Sequence, residues 1–482
     1  MMLDNRLNFS SHTQHLKTEA SKAMNILRVI SAHKWGADRN TLMRLYWAIS
    51  RSKLDYGANI YSLGNPSKLK MLDTIHIEAI RLCTGAFRSS PRHSLYVDSN
   101  EPPLHLRRME TSIRYYLRLS SNSDYKDKLN ALDSNSDDQY SEKDKTPFGY
   151  QTRKNMKELD FQQPQTAMIG PSKLPPWKLK TVKVCYEGCK TTKTKLSTLA
   201  IKQEFLSHNY KHLGTNKIYT DGSKSTNGTG FAVITDTRTL RAKIPHNSTI
   251  FSAESHAILR ALIEIKNRDE PTWTIYTDSQ STLNAIEEYN PRNPIIQEIQ
   301  TELYHLALQG KDINFCKIPS HVNLEGNERA DRAAKEATEM PGLYIHTLPY
   351  QDLYPRIKQR IRNIWQTSWN SKTAKLREVK PQLGNWKTIG NNRKNQVILT
   401  RLRIGHTRFT HEYHMKKQPQ PLCKDCNNQI LTVKHFLLEC PKHRTDRERY
   451  KLPDSMNKLL GESCPVERLF EFLDFMGLRE EI

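Results

Sequence analysis

Two short segments of this chain are identical, and this repeat constrains the fold more than any other feature. Residues 218–221 and 275–278 both have the sequence Ile-Tyr-Thr-Asp. β-Branched and aromatic residues favour strands, so each segment predicts a strand that ends in an aspartate. Ligands of open sheets tend to bind outside the carboxyl ends of the strands. The repeat therefore predicts a sheet with Asp221 and Asp278 at one edge.

The surrounding sequence alternates between strand patterns and helix patterns. Short apolar runs predict strands at 217–220, 231–234, 239–244, 273–277 and 313–318. Apolar residues at helical spacing predict helices at 252–266, 281–289, 295–308 and 327–338. Three strands joined by turns, followed by strand–helix alternation, predict an α/β fold in which helices pack on a mixed sheet.

Three further polar residues join the two aspartates in this region. Glu254 lies near the start of the first predicted helix, His321 follows the last strand, and Asp331 lies early in the last helix. Taken singly, the acids have ordinary explanations as turn, cap or surface residues, and His321 as a loop histidine. Their order and their repeated strand-end context favour a shared site.

Clustered carboxylates repel one another unless cations offset their charge. Hard oxygen ligands suit Mg²⁺ or Mn²⁺. Two such ions, roughly 3.5–4 Å apart, can stabilise both the attacking and the leaving oxygen of a phosphodiester displacement. A nearby histidine such as His321 can move protons or help product release.

At these residues the sequence resembles the ribonuclease H type 1 family. The matching motifs are Tyr219-Thr220-Asp221-Gly222-Ser223, Ser252-Ala253-Glu254, Tyr276-Thr277-Asp278-Ser279, Ser320-His321 and Gly326-Asn327-Glu328-Arg329-Ala330-Asp331. The resemblance implies a five-stranded mixed sheet with flanking helices over 212–338. It also implies endonucleolytic, Mg²⁺-dependent cleavage of the RNA strand of RNA–DNA hybrids.

The same resemblance implies a role for each residue of the motifs. Asp221, Glu254, Asp278 and Asp331 would be the ligands of two Mg²⁺ (or Mn²⁺) ions, with Asp221 bridging them. His321 would be a mobile, proton-shuttling residue. Every acidic position of the pattern is present, which favours an active enzyme over a degenerate copy.

A second candidate metal site lies further along the chain. Cys423, Cys426, His435 and Cys440 offer three thiolates and an imidazole, which suit one structural Zn²⁺. Unpaired buried thiols are the alternative, and His443 is a possible competing ligand. The spacing resembles the zinc knuckle at the C-terminal ends of many non-LTR retrotransposon polyproteins.

The charge of the chain favours a polyanionic partner. With 74 Lys+Arg against 51 Asp+Glu, the formal net charge is +23. Nucleic acid is the first candidate on this ground, a membrane surface the second, and a generically basic protein the plain alternative. Residues 371–420 carry 12 Lys/Arg against two acids with aromatics between them, a pattern of nucleic-acid binding or of a solvated basic face.

The segments before the predicted ribonuclease H domain indicate what kind of longer protein it belongs to. Residues 1–120 have helical patterns and resemble the region after the polymerase palm in Jockey/R1-type reverse transcriptases. Residues 121–211 are polar and proline-containing, which predicts a partly disordered linker. The only adjacent aspartates, Asp137 and Asp138, fall in that linker, so polymerase activity is not expected.

These patterns predict six parts and one leading function. The parts are a helical remnant of a reverse-transcriptase thumb (1–120), a linker (121–211), a ribonuclease H domain (212–338), a basic helical segment (339–415), a zinc knuckle (416–445) and a tail helix (446–482). The function is RNA–DNA hybrid cleavage as part of a retrotransposon-derived protein. The alternative is a non-catalytic nucleic-acid-binding protein that keeps the fold and the knuckle. Without a secretory pattern or an apolar run of the ~20 residues that span a bilayer, we expect a nuclear or cytoplasmic setting.

Overall fold

The structure is a computed structural model of the 482-residue chain. It describes residues 1–5, 8–64, 66–125, 147–171, 174–178, 182–186, 197–208, 214–319, 322–387, 392–426 and 429–482. Two compact units result. One comprises the described residues of Met1–Ile113, Asn135–Asp160 and Gln359–Ile482, and the other those of Arg114–Ser134 and Phe161–Lys358.

The helices of the described residues are, in chain order, α1 (Ser10–Ile30), α2 (Arg39–Tyr46), α3 (Ser52–Asp55), α4 (Ala58–Tyr61), α5 (Pro66–Thr84), α6 (Arg92–Ser99), α7 (Leu104–Ser120), α8 (Phe148–Glu158), α9 (Thr198–His208), α10 (Ile250–Lys266), α11 (Gln280–Ile286), α12 (Pro294–Leu308), α13 (Glu325–Ala337), α14 (Tyr354–Asn370), α15 (Lys375–Val379), α16 (Arg393–Ile404), α17 (Arg408–His411), α18 (Tyr413–Lys416), α19 (Arg444–Arg449), α20 (Met456–Leu460) and α21 (Val466–Phe475). Short π-helical turns lie at Trp47–Arg51 and His435–Glu439. None of the described helices is both long enough and apolar enough to cross a membrane.

One mixed sheet organises the second unit. Its strands are β1 (Lys183–Cys185), β2 (Asn216–Lys224), β3 (Thr229–Ile234), β4 (Thr239–Ile244), β5 (Thr272–Thr277) and β6 (Asp312–Lys317). Their order is β1-β6-β5-β2-β3-β4. β1, β6, β5 and β2 run parallel to their neighbours, whereas β2, β3 and β4 form an antiparallel meander.

Helices cover both faces of this sheet. On one face, α10 and α12 bury their apolar sides against β2, β3, β5 and β6, with Ala257, Leu262 and Ile296 fully buried. On the other face, α13 packs small residues against β3, and α9 places Phe205 beside Tyr276. The period-2 alternation of the strands thus divides the apolar residues between two cores.

The predicted fold class is confirmed, with one more strand than expected. The additional strand is β1, which forms one edge of the sheet and pairs with β6 through the register Val184 to Phe315. Both β1 and α9 lie between 121 and 211, where the polar composition predicts a linker. The six predicted parts remain a prediction, and Asp137 and Asp138 lie outside the described residues.

The first unit is helical and includes segments from both ends of the chain. The core beneath α1, α2 and α5 consists of large apolar side chains such as Met24, Leu42 and Leu72. Buried polar contacts then join distant segments. Arg393 on α16 donates to the carbonyl oxygens of Cys83 (2.6 Å) and Leu82 (2.7 Å) after a separation of more than 300 residues. The basic segment is therefore part of the same helical core as the N-terminal helices.

Candidate functional site

The register of two parallel strands places Asp221 and Asp278 side by side. β2 pairs with β5 so that Ile218 is opposite Ile275 and Tyr219 is opposite Tyr276. Continued by two residues, this register brings Asp221 level with Asp278 on strands that lie about 4.8 Å apart. The rings of Tyr219 and Tyr276 stack at 4.9 Å just before them. The predicted strand end is found at Asp278, which follows β5, but not at Asp221, because pairing with β3 extends β2 to Lys224.

Glu254 reaches the same edge from α10 because a glycine permits a close backbone approach. A Cβ atom at Gly222 would lie only 2.6 Å from the backbone nitrogen of Glu254. Any side chain at position 222 would force β2 and α10 apart. Glu254 also accepts a hydrogen bond from the hydroxyl of Ser279, the residue after Asp278.

Asp331 approaches from the other face of the sheet on α13. The buried alanines Ala330, Ala333 and Ala334 let this helix pack closely on β3, and a Cβ atom at Gly326 would collide with the ring of Tyr219. Asp331 forms a 2.6 Å ion pair with Lys335, one helical turn further on. That ammonium group supplies one positive charge at an otherwise acidic site.

Mutual repulsion makes this group costly to ionise. Burial, followed by repulsion from Asp278, Asp331 and Glu254, raises the pKa of Asp221 to about 8. Burial and the charge of Asp278 also raise the pKa of Glu254, while the Ser279 hydrogen bond opposes that shift. The four predicted acids therefore share one electrostatic environment, in which a divalent cation would favour their ionised forms.

The four carboxylates lie further apart than the ligands of the cysteine–histidine group. Among the described residues, only the cysteine–histidine group has all its ligand atoms within 4.8 Å of one another. A pair of hydrated hard cations needs more room than that, because Mg²⁺ usually keeps several of its waters. His321 lies outside the described residues, so its predicted role remains a prediction.

The cysteine–histidine group forms a compact centre in the first unit. The Sγ atoms of Cys423 and Cys440 are 3.9 Å apart, and Nε2 of His435 is 3.4 Å from Sγ of Cys426. Burial and the neighbouring cysteines raise the pKa of Cys440 to about 11. Three sulfur ligands and one imidazole match the preferences of a structural Zn²⁺.

The competing histidine has a different partner. Nε2 of His443 lies 2.9 Å from a carboxylate oxygen of Asp425. His443 is not part of the group whose ligand atoms lie within 4.8 Å of one another. This arrangement favours His435 over His443 as the fourth ligand.

One residue near the acidic group has no signal in the sequence. Asp352 is buried and accepts hydrogen bonds from the backbone nitrogen of Thr249 (3.1 Å), the Thr249 hydroxyl (2.7 Å) and the Ser252 hydroxyl (2.9 Å). These bonds hold the first turn of α10, which ends just before Glu254. Asp352 lies in a 3₁₀ turn about 100 residues away in sequence, so only the folded chain reveals it.

Comparison with known proteins assigns the sheet region to a class. The family model described as RNase H matches residues 215–339. The chain thus contains an RNase H domain, which confirms the resemblance for this region.

Curated relatives agree with that class. Ribonuclease H1 of Mus musculus is 30% identical over 151 residues, which are 27% of this chain and 53% of the relative. Ribonuclease H1 of Rattus norvegicus is 31% identical over 142 residues, covering 25% of this chain and 50% of the relative. Ribonuclease H1 of Homo sapiens is 28% identical over 141 residues, covering 25% of this chain and 49% of the relative. The chain therefore spans about half the length of these relatives.

Proposed function

We propose that this chain hydrolyses the RNA strand of RNA–DNA hybrids at the acidic edge of its sheet. The observation that carries the proposal is the shared environment of Asp221, Glu254, Asp278 and Asp331, whose mutual repulsion and burial raise the pKa of Asp221 to about 8. A protein does not maintain such a cluster for stability, because paired like charges destabilise the fold. Perturbed acids of this kind mark functional sites.

The four acids would hold two Mg²⁺ or Mn²⁺ ions. When bound, the ions would supply a positive field for the attacking and leaving oxygens of the phosphodiester. Asp221, which the charges of the other three acids all act on, would be one of the residues that hold the ions. Ser279 orients the Glu254 carboxylate through its hydrogen bond, and Lys335 partly neutralises Asp331.

Cleavage of a labelled hybrid by the full chain in Mg²⁺ tests the proposal. Asp278→Asn should lower the cleavage rate by on the order of 1000-fold, because loss of one charged group at the reacting centre costs about that much. Binding of the hybrid should change little. Asp312→Asn is the matched control, since Asp312 begins β6 at the opposite end of the strands and pairs with Lys183 on the surface.

A different result would favour the non-catalytic alternative. Tight hybrid binding without cleavage in either Mg²⁺ or Mn²⁺ would indicate a nucleic-acid-binding protein that keeps the fold. The net charge of +23 supports an affinity for nucleic acid in both cases.

The remaining expectations concern the context of the domain. We infer that the cysteine–histidine group binds one structural Zn²⁺ and that the chain derives from a retrotransposon polyprotein. In such an element, the hydrolase would remove template RNA after first-strand synthesis. The spacing of the four ligands and the unit formed by segments from both ends of the chain support this proposal.

A further inference from the structure

Three histidines and a lysine gather in the first unit, outside both candidate metal sites. We call Lys375, His406, His411 and His414 the histidine cluster. Lys375 begins α15, His411 ends α17 and His414 lies in α18. His406 follows Gly405, whose positive φ of 77° turns the chain at the end of α16.

The members of the histidine cluster are in direct contact. The rings of His406 and His411 stack at 3.7 Å, and the rings of His411 and His414 lie 5.9 Å apart. Nζ of Lys375 is 3.3 Å from Nε2 of His411. On the inner side, the Ser89 hydroxyl lies 2.9 Å from Nδ1 of His406 and fixes that ring.

This group of potential cations has no anion of its own. Among the described residues, no carboxylate pairs with any member of the cluster. The nearest acid in sequence, Glu412, instead pairs with Arg408 (3.4 Å) and Lys416 (3.1 Å). The cluster therefore concentrates hydrogen-bond donors at a site where the described part of the chain pairs no carboxylate with them.

The pKa values of the cluster agree with the lack of a carboxylate partner. Burial and the neighbouring cations lower the pKa of His406 to about 3 and that of His411 to about 4. Burial also lowers the pKa of Lys375. An anion bound among these groups would favour their charged forms and raise all three pKa values.

We propose that the histidine cluster binds a phosphate group through Lys375, His406 and His414. Lys375 and His414 are exposed and His406 is half-buried, so all three can be reached from solvent. A phosphate offers several strong acceptor oxygens to donors that converge from different elements. A metal ion fits poorly, because the Lys375 ammonium already occupies Nε2 of His411 and would repel it.

The source of the phosphate is either a nucleic-acid backbone or a free phosphate. The cluster lies within the basic stretch 371–420, which carries 12 Lys/Arg against two acids. This site is independent of the proposed cleavage chemistry, since it needs neither the carboxylates nor Mg²⁺.

Nuclear magnetic resonance of the ¹³C-histidine-labelled full chain at pH 6.5 tests the site with inorganic phosphate. The resonances of His406 and His414, assigned with His406→Gln and His414→Gln, should shift saturably with phosphate but not with chloride at equal ionic strength. Lys375→Met, which keeps the aliphatic stem, should weaken phosphate binding by on the order of 10-fold, as expected for a charged hydrogen bond. Lys372→Met, at an exposed lysine three residues earlier, is the control. Equal shifts in phosphate and chloride, or the same phosphate affinity in Lys375→Met, would overturn the proposal.

A second measurement identifies the source. Fluorescence anisotropy of a labelled single-stranded DNA, without Mg²⁺, reports binding of the phosphodiester backbone. A loss of affinity in Lys375→Met and in the surface variant His414→Gln, but not in Lys372→Met, supports a backbone site. Unchanged DNA affinity alongside the specific phosphate shifts supports a site for free phosphate. If neither probe distinguishes the variants from wild type, the cluster binds no phosphate and the proposal is wrong.

Discussion

The two candidate metal sites of this chain are built in opposite ways. The four carboxylates come from positions spread between 221 and 331, and a sheet and two helices hold them in place. The cysteine–histidine ligands come from one short stretch, 423–440, with little regular structure around them. The first site is held by the packed core of the sheet, whereas we expect the second to depend on the Zn²⁺ proposed for it.

Packing explains this difference. α10, which carries Glu254, buries a row of apolar side chains against the sheet. Around the cysteines, hydrogen bonds such as Cys423 N to Gln429 O (2.9 Å) and Leu431 N to Pro421 O (2.8 Å) join the backbone, and the buried apolar residues there include Phe436 and Leu437. Because this stretch has little regular structure, we expect a bound metal to contribute much of its stability.

Removal of zinc should therefore have the largest effect on stability. For isolated zinc modules, metal binding contributes roughly 10–16 kcal/mol. After treatment with a zinc-selective chelator, amide hydrogen exchange at Cys423 and Leu431 should become fast, while hybrid cleavage in Mg²⁺ persists. Cys464→Ser, at a buried thiol outside the group, is the control. Unchanged exchange at both amides would show that this segment folds without the ion.

Neutralisation of Asp221 should have the opposite consequence at the carboxylate site. Because its folded pKa is raised from 3.8 to about 8, Asp221 keeps its proton in the folded state while the unfolded chain loses it, so the metal-free protein loses stability as the pH rises through that interval. Asp221→Asn should lower the cleavage rate by on the order of 1000-fold. The same substitution should stabilise the metal-free chain at pH 8, because it removes the group that is costly to ionise. Urea unfolding in a chelator at pH 4 and pH 8 measures this effect.

The pH dependence supplies the internal control for Asp221→Asn. The two proteins should be similarly stable near pH 4, where the aspartate is protonated in the folded state. A variant that is less stable than wild type at both pH values would mean that Asp221 has a structural role instead.

The same contrast explains which features the sequence could predict. The candidate zinc ligands could be proposed from the sequence because their spacing is local. The repeated Ile-Tyr-Thr-Asp was enough to predict two strands that carry Asp221 and Asp278, but the strand end predicted at Asp221 is wrong, because pairing with β3 extends β2 to Lys224. The short strand β1 was not predictable, because three residues in a polar stretch carry little periodicity. Asp352 was not predictable either, since its partners lie on a distant helix.

A methyl group at Gly222 should disturb the carboxylates without removing any of them. The added Cβ atom would lie 2.6 Å from the Glu254 nitrogen, so β2 and α10 must separate. Displacements of about 1 Å in an active site can cost about 100-fold in rate, and we expect Gly222→Ala to lower cleavage by that order. Gly214→Ala, where a Cβ atom meets nothing within 4 Å, is the control. Full activity in Gly222→Ala would mean that the close approach of β2 and α10 is not needed for catalysis.

The smallest effect should come from Asp352, which acts on the carboxylates only through α10. In Asp352→Asn, one acceptor oxygen becomes a donor that faces the hydroxyls of Thr249 and Ser252. The loss of such a buried hydrogen bond costs about 1–3 kcal/mol. We expect α10 to loosen at its N-terminus, and the Mg²⁺ concentration for half-maximal cleavage to rise severalfold while the rate at saturating Mg²⁺ falls little. Asp269→Asn, at an exposed residue just after the same helix, should leave both quantities unchanged. If the variant loses stability but keeps its Mg²⁺ dependence, Asp352 supports only the fold. The position of Glu254 would then depend on the close approach at Gly222 and on the Ser279 hydrogen bond.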